Sequence, residues 1–197
     1  PPAALVTGAS SGIGEVFARR LAARGHDLVL VARRADRLER LAAELGTRHG
    51  VRTLVLAADL ARADSPSDVH RRCTEAGWEV GLLFNNAGYG NYGLFAECDL
   101  DRELGQIDLN VRALVALTRL FLPAMLARRA GTVVHVGSVA GFLPVPYLAT
   151  YAATKAFVLS YSDALNAELA GTGVHVMTVC PGGTRTEWQD VAGIAPD

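Results

Sequence analysis

The chain has 197 residues, half of them hydrophobic and a fifth charged, with a formal net charge of -1. That is enough for one domain with a sizeable core, and the charge balance carries no footprint of a nucleic-acid or anionic-membrane partner. Cys73, Cys98 and Cys180 are odd in number and widely spaced, which argues against a disulfide framework or a zinc site and for a reducing, cytoplasmic setting.

In chain order, short apolar runs alternate with longer stretches of helical period. Ala3–Thr7 reads as a buried strand, followed by a Gly-rich turn and a helix over Ile13–Arg24 with Val16, Phe17, Ala18, Leu21 and Ala22 on its apolar side. Leu28–Ala32 is the next strand, Arg34–His49 the next helix and Thr53–Ala57 a third strand. Ser65-Pro66-Ser67-Asp68 reads as a helix start, with Ser65 as N-cap and Pro66 at the first helical position. Val80–Phe84 is a fourth strand. A helical region then runs over about Asp99–Arg129, in one piece or two, with Pro123 ending or kinking it. The apolar stretch Ala113–Leu126 contains Arg119 and Pro123 and is not expected to span a membrane. Thr132–Val136, the long helix Tyr151–Ala170 and the strand Val174–Val179 follow.

This alternation implies an α/β fold, a doubly wound parallel sheet of the Rossmann type, with ligands at the carboxyl ends of the strands. The chemically informative residues fall at those ends. Gly8–Gly14 follows strand one, Arg33 strand two, Asp59 strand three, Asn85–Gly88 strand four, Ser138 strand five and Pro181–Thr186 strand six. Thr7-Gly8-Ala9-Ser10-Ser11-Gly12-Ile13-Gly14 joins a strand to a helix. Its glycines permit close approach of a ligand, and the helix N-terminus offers N–H groups to a pyrophosphate. Tyr151 and Lys155 are four apart, so they share a helix face, and an adjacent ammonium should lower a phenol pKa from its usual ~10. A tyrosine tuned in this way can exchange a proton with an alcohol or carbonyl near neutral pH.

Together these motifs resemble a short-chain dehydrogenase/reductase of the small single-domain, NADP-preferring branch. The matching pieces are Thr7–Gly14, Asn-Asn-Ala-Gly at Asn85–Gly88, Asn110, Ser138, Tyr151 with Lys155, and Pro181-Gly182 followed by Thr186. The resemblance implies that Tyr151 is general acid in reduction and base in oxidation, and that Ser138 bonds the reacting carbonyl oxygen. It implies that Lys155 lowers the Tyr151 pKa and holds the nicotinamide ribose, and that Asn110 anchors a water of a proton relay. Gly8, Ser10, Ser11, Gly12, Ile13 and Gly14 would cradle the cofactor, with Asn86, Ala87 and Gly88 near the adenosine ribose. Asp59 and Leu60 would meet the adenine edge, and Pro181, Gly182, Thr184 and Thr186 the nicotinamide side. Asp59 equally reads as a turn or cap residue, Asn85–Gly88 as scaffold, and Thr184 and Thr186 as plain loop.

Arg33 bears on the cofactor. An NAD-preferring pattern places an acid near the end of strand two, but this chain reads Leu-Val-Ala-Arg-Arg there, with no acid before Asp36. A guanidinium suits a 2′-phosphate, and Arg34 and Ser10 stand close by in sequence or motif, so NADP(H) is expected in preference to NAD. The alternative is that Arg33 and Arg34 are solvated helix-start residues.

Tyr89, Tyr92, Phe142, Leu143, Val145, Pro146, Tyr147 and Trp188 lie near motifs that should border the substrate, and suggest an apolar or aromatic carbonyl or alcohol. His135 and His175 read as core or edge residues, and no His/Cys/Asp cluster suggests a metal. The expected partners are a small-molecule substrate and further copies of the chain as homodimer or homotetramer, with no nucleic acid and no membrane. The chain starts at Pro1 and ends at Asp197, where members of the branch continue through another helix and a seventh strand, so it reads as one C-terminally incomplete domain. Two other readings are weighed: a non-catalytic NADP-binding regulator on the same fold, and a nucleotide-sugar epimerase or dehydratase. The intact Ser138, Tyr151, Lys155 and Asn110 set speaks against the first. The absence of a Thr-Gly-x-x-Gly-x-x-Gly loop speaks against the second.

Overall fold

Six apolar runs of five or six residues form one sheet, with the order β3-β2-β1-β4-β5-β6 and every neighbouring pair parallel. The computed structural model describes residues 2–183 and 187–193. The elements are β1 (Ala3–Thr7), α1 (Gly12–Ala22), β2 (Leu28–Ala32), α2 (Ala35–His49), β3 (Thr53–Ala57), α3 (Ser65–Glu75) and β4 (Val80–Asn85). They continue as α4 (Leu100–Ile107), α5 (Leu114–Arg128), β5 (Gly131–Val136), α6 (Ala149–Glu168), β6 (Val174–Val179) and the short α7 (Trp188–Ala192).

β1 and β2 are buried along their whole length because helices cover both sheet faces. Alternate residues therefore feed two separate cores. Ala4, Val6, Leu28 and Leu30 point into one with Leu38, Leu45 and Phe84, where Phe17 stacks on Phe84 at 3.7 Å. Leu5, Val29 and Val31 point into the other with Leu83, Leu117 and Met125. The chain winds outward from β1 to β3, then crosses back to lay β4 beside β1. That reversal opens a crevice between the carboxyl ends of β1 and β4, the usual ligand position in such sheets.

The strands fall where the sequence places them, but three helix details differ. Val16 is exposed rather than core-facing, because the buried stripe of α1 runs through Gly14, Ala18, Leu21 and Ala22. The cap of α3 is Asp64, not Ser65, which opens the helix and is buried, with Pro66 following it. Pro123 lies inside α5, which continues through it to Arg128. Pro123 and Arg119, the residue four earlier whose carbonyl loses its helical donor, both face solvent, so water can take that bond.

The long helical region breaks elsewhere, at a π turn over Asp108–Ala113. The run Leu100–Arg128 is long and apolar enough by length and composition to cross a membrane, with a mean hydropathy of 1.5 and 39% of its most apolar window buried. Its α5 portion packs against α3, β4 and β5.

Candidate active site

Because all six strands are parallel, their carboxyl ends share one edge, and the loops singled out in the sequence converge there. The β1–α1 turn has two glycines in the left-handed region, Gly8 at φ 66° and Gly12 at φ 57°. Gly14 is constrained by space: a Cβ there would collide with the Gly8 carbonyl oxygen and lie 2.6 Å from Asn86 Nδ2. The turn thus brings its backbone, with Ser11 as the residue ahead of α1 and Gly12 and Ile13 in its first turn, to the mouth of the crevice. Unpaired N–H groups at such a helix start suit a diphosphate.

Thr7 and the β4 end are tied together. Thr7 Oγ1 accepts hydrogen bonds from the backbone N–H groups of Asn86 and Ala87, each at 2.9 Å. Asn86 Nδ2 donates to the Thr7 carbonyl oxygen at 2.9 Å. Asn85 turns inward and donates to Thr118 Oγ1 at 3.0 Å. In this geometry the asparagine pair is scaffold. Ala87 packs against the second core, while Gly88 lies close to the catalytic candidates: a Cβ on it would stand 2.9 Å from Asn110 Oδ1 and 3.7 Å from Lys155 Nζ.

At the end of β2, Arg34 rather than Arg33 reaches the Gly-rich turn. Its Nη2 donates to Ser11 Oγ at 2.8 Å and Ser10 Oγ at 3.2 Å. Arg33 is exposed, and its charge acts on the Tyr89 phenol, which burial pushes upward in pKa and Arg33 and Arg102 pull down. Asp36, the first acid after β2, pairs with Arg40 at 3.2 Å. Asp59 accepts from the Ala61 N–H at 3.2 Å, forming a local turn, and Leu60 is buried behind it.

Asn110 sits in the π turn and is buried. Its Nδ2 donates to the Tyr89 carbonyl oxygen at 2.9 Å and to Thr154 Oγ1 at 3.1 Å, and its Oδ1 accepts from the Tyr89 N–H at 3.1 Å. The side chain thus clamps the loop after β4 to α6. π turns recur at functional positions because the extra residue redirects the helix face.

Ser138 and Tyr151 come together although one follows β5 and the other opens α6. Ser138 Oγ accepts from the Ala140 N–H at 3.1 Å, and Ser138 also bonds the Tyr151 side chain. Burial pushes the Tyr151 phenol above its ordinary pKa, and the Ser138 contact partly offsets this. This reverses the lowering inferred from the Tyr151–Lys155 spacing. The reason is that Lys155 Nζ donates to the Val136 carbonyl oxygen at 2.7 Å and stands 5.6 Å from the tyrosine ring centre. Burial also brings Lys155 down to about 8, with Cys180 acting in the opposite direction.

The loop after β6 begins with Pro181, whose carbonyl oxygen accepts from the Val139 N–H at 3.2 Å, and Gly182. Thr184 and Thr186 lie outside the described residues. Around the site, Tyr92, Phe142, Leu143 and Tyr147 are exposed, with the Tyr92 and Tyr147 rings 5.5 Å apart. Trp188 packs on Tyr151 at 5.0 Å between ring centres. Tyr147 has φ 66°, an uncommon conformation for an aromatic residue, and its carbonyl oxygen holds the Gly93 N–H at 2.9 Å. His135 is fully buried and His175 exposed on the sheet edge, as the sequence suggests.

Four participants escaped the sequence reading. Thr154, one turn beyond Tyr151, completes the Asn110 clamp and is recoverable from helical spacing. Cys180 lies near Lys155 and receives a bond from the Ser138 backbone. Arg37 and Glu187 form an ion pair at 2.6 Å, which no local pattern could foretell across 150 positions.

A family model described as short chain dehydrogenase matches residues 2–194. A solved short-chain dehydrogenase from Sphingobium yanoikuyae in complex with NADPH superposes with a TM-score of 0.94 at 44% identity, covering 99% of this chain and 76% of that one. A bulky-bulky ketone specific alcohol dehydrogenase from Comamonas testosteroni gives 0.89 at 40% identity, covering 94% and 73%. Among curated proteins, the very-long-chain 3-oxoacyl-CoA reductase of Anas platyrhynchos is 38% identical over 183 residues, which are 90% of this chain. That of Phaeosphaeria nodorum is 38% identical over 180 residues. The chain spans 58% and 53% of the lengths of these two relatives.

Proposed function

We propose that this chain, which belongs to the short chain dehydrogenase family, carries the active site of an NADP(H)-dependent oxidoreductase acting on ketones with bulky apolar flanks. The observation that carries this reading is the meeting of Ser138, Tyr151, Lys155 and Asn110 beside the Gly-rich β1–α1 turn.

The residues fit the cofactor. The β1–α1 turn suits the diphosphate, and Lys155 suits the nicotinamide ribose, since its ammonium has three donors and Val136 takes one. Arg34 with Ser10 and Ser11 suits a 2′-phosphate, at a strand end where the first acid is already paired to Arg40. Similar solved structures that hold NADP-type ligands, among them those from Sphingobium yanoikuyae and the archaeon Thermococcus sibiricus, support that choice. When bound, the dinucleotide supplies or accepts the hydride.

Tyr151 handles the proton. Burial keeps its phenol protonated at neutral pH, so it gives up its proton only as charge builds on the substrate oxygen, which is the behaviour of a general acid. In the oxidative direction it takes the proton back from the alcohol. Ser138 Oγ accepts from the Ala140 N–H, and its one hydroxyl hydrogen is free to turn from the Tyr151 phenol to the substrate oxygen. Asn110 holds the loop after β4 against α6, which sets the position of Tyr151 and Lys155. Tyr92, Phe142, Leu143 and Tyr147 present an apolar rim. That rim, and relatives named for 3-oxoacyl-CoA and bulky ketones, support a ketone with a long or bulky apolar flank. The test is NADPH oxidation by the full-length protein against aldehydes, ketones, quinones, steroids and 3-oxoacyl thioesters. Consumption with bulky ketones or long 3-oxoacyl thioesters is expected. NADPH binding without consumption by any of them would leave a non-catalytic NADP-binding protein.

A further inference from the structure

Glu187 joins two distant parts of the site. Its carboxylate sits between two guanidiniums at the start of α2, with Oε2 2.9 Å from Arg34 Nη1 and Oε1 2.6 Å from Arg37 Nη1. Arg34 is also the residue that binds Ser10 and Ser11. One edge of this guanidinium faces the Gly-rich turn and another carries the carboxylate. The pairing, to Arg37 first and Arg34 second, holds the Glu187 carboxyl down at about 2.

The next residue, Trp188, packs on the Tyr151 ring at 5.0 Å. It also fills the space over Gly90, where a Cβ would lie 2.7 Å from Trp188 Cζ2. The far end of α7 is anchored as well. The Ala192 carbonyl oxygen accepts from the Tyr92 N–H at 2.8 Å, and that of Val191 from Arg102 Nη2 at 2.8 Å. Residues 187–192 therefore strap the start of α2 to the catalytic tyrosine and to the loop after β4.

We propose that Glu187 is an internal competitor for the cofactor's 2′-phosphate, a latch that this phosphate displaces from Arg34 and Arg37, thereby freeing Trp188 from Tyr151. The inference rests on the NADP reading above. A phosphate monoester carries more charge than a carboxylate and offers three acceptor oxygens, so it outcompetes Glu187 for the same guanidiniums. A ribose 2′-hydroxyl has no charge with which to compete, so a dinucleotide without the phosphate leaves the latch closed. The ion pairs are about 40% exposed on both sides, and such pairs are weak enough to be displaced. The latch thus couples recognition of the phosphate at one end of the cleft to access at the other.

The test is calorimetric titration of the full-length protein with adenosine 2′,5′-bisphosphate and with 5′-AMP, in wild type, Glu187→Gln and Glu187→Ala. Trp188 emission is read in a Trp78→Phe background. Wild type should prefer the bisphosphate, and both variants should bind it about threefold to tenfold more tightly with AMP affinity unchanged. The bisphosphate, but not AMP, should shift Trp188 emission. Equal wild-type affinities for the two ligands would remove the NADP reading and the latch with it. A wild-type preference with bisphosphate binding unchanged or weaker in both variants would overturn the latch alone. Tightening without any Trp188 shift would overturn the link to Tyr151.

Discussion

Lys155 lies one helical turn from Tyr151, yet its Nζ hydrogen-bonds the Val136 carbonyl oxygen at 2.7 Å and stands 5.6 Å from the centre of the phenol ring. The lysine therefore anchors α6 to the end of β5 as well as facing the site. Burial acts on the two side chains in opposite directions, disfavouring the phenolate and the ammonium alike. The pair is a protonated phenol and an ammonium donor, held at a fixed separation.

In the proposed function Arg34 reads the 2′-phosphate. Losing a charge-assisted bond of this kind costs about 1.5–3 kcal/mol, or roughly tenfold to a hundredfold in affinity. Arg34→Ala should weaken NADPH binding by that factor and leave NADH binding unchanged. Arg33→Ala should have the smaller effect, because Arg33 is exposed and does not reach Ser10 or Ser11. Fluorescence titration with both nucleotides decides it, and a larger loss in the Arg33 variant would reverse the assignment.

Asn110 should prove structural and catalytic at once. Asn110→Ala leaves the Tyr89 N–H and C=O without this partner, and takes one of two bonds from the Thr154 hydroxyl, which still donates to the Tyr151 carbonyl oxygen. A buried group left unpaired costs about 1–3 kcal/mol. Urea unfolding should show that loss, and turnover should fall by more than the unfolded fraction explains. An active variant of unchanged stability would remove the clamp from the account.

His135 makes the fold acid-sensitive. It is fully buried, with Nε2 3.1 Å from Thr118 Oγ1 and Nδ1 2.7 Å from Ser162 Oγ, and the Tyr161 ring stacks beside it. Burial lowers its pKa from 6.5 to about 4, so between these values the unfolded chain binds the proton that the folded chain refuses. Its contribution is whole above pH 6.5 and is lost as pH falls toward 4, on the order of 3 kcal/mol in total. Urea midpoints across that window should decline in wild type more steeply than in His135→Asn. Parallel declines would place the acid sensitivity elsewhere.

Most of the frame was legible because it depends on local pattern. Five- and six-residue apolar runs such as Leu28–Ala32 can only be buried strands when helical stretches alternate with them. Gly8–Gly14 carries its strand-turn-helix context in its own residues. Ser138, Tyr151 and Lys155 were identifiable as a set because family resemblance fixes their spacing. What was not legible depends on tertiary placement. Whether Arg33 or Arg34 faces the turn is decided by how the chain leaves β2. The helix break at Asp108–Ala113 has no proline or glycine to announce it, whereas Pro123, which does announce one, sits on the solvent side where it costs little. The direction of the Tyr151 shift depends on burial by residues far away in sequence, Trp188 among them.

The most direct test of the central claim is Tyr151→Phe, assayed for NADPH affinity and for NADPH consumption with the best substrate of the panel. The phenyl ring keeps the packing against Trp188 and removes the hydroxyl, with its transferable proton and its bond to Ser138. The account predicts unchanged folding and NADPH binding, with turnover reduced by at least about a hundredfold. Turnover near the wild-type level would contradict it.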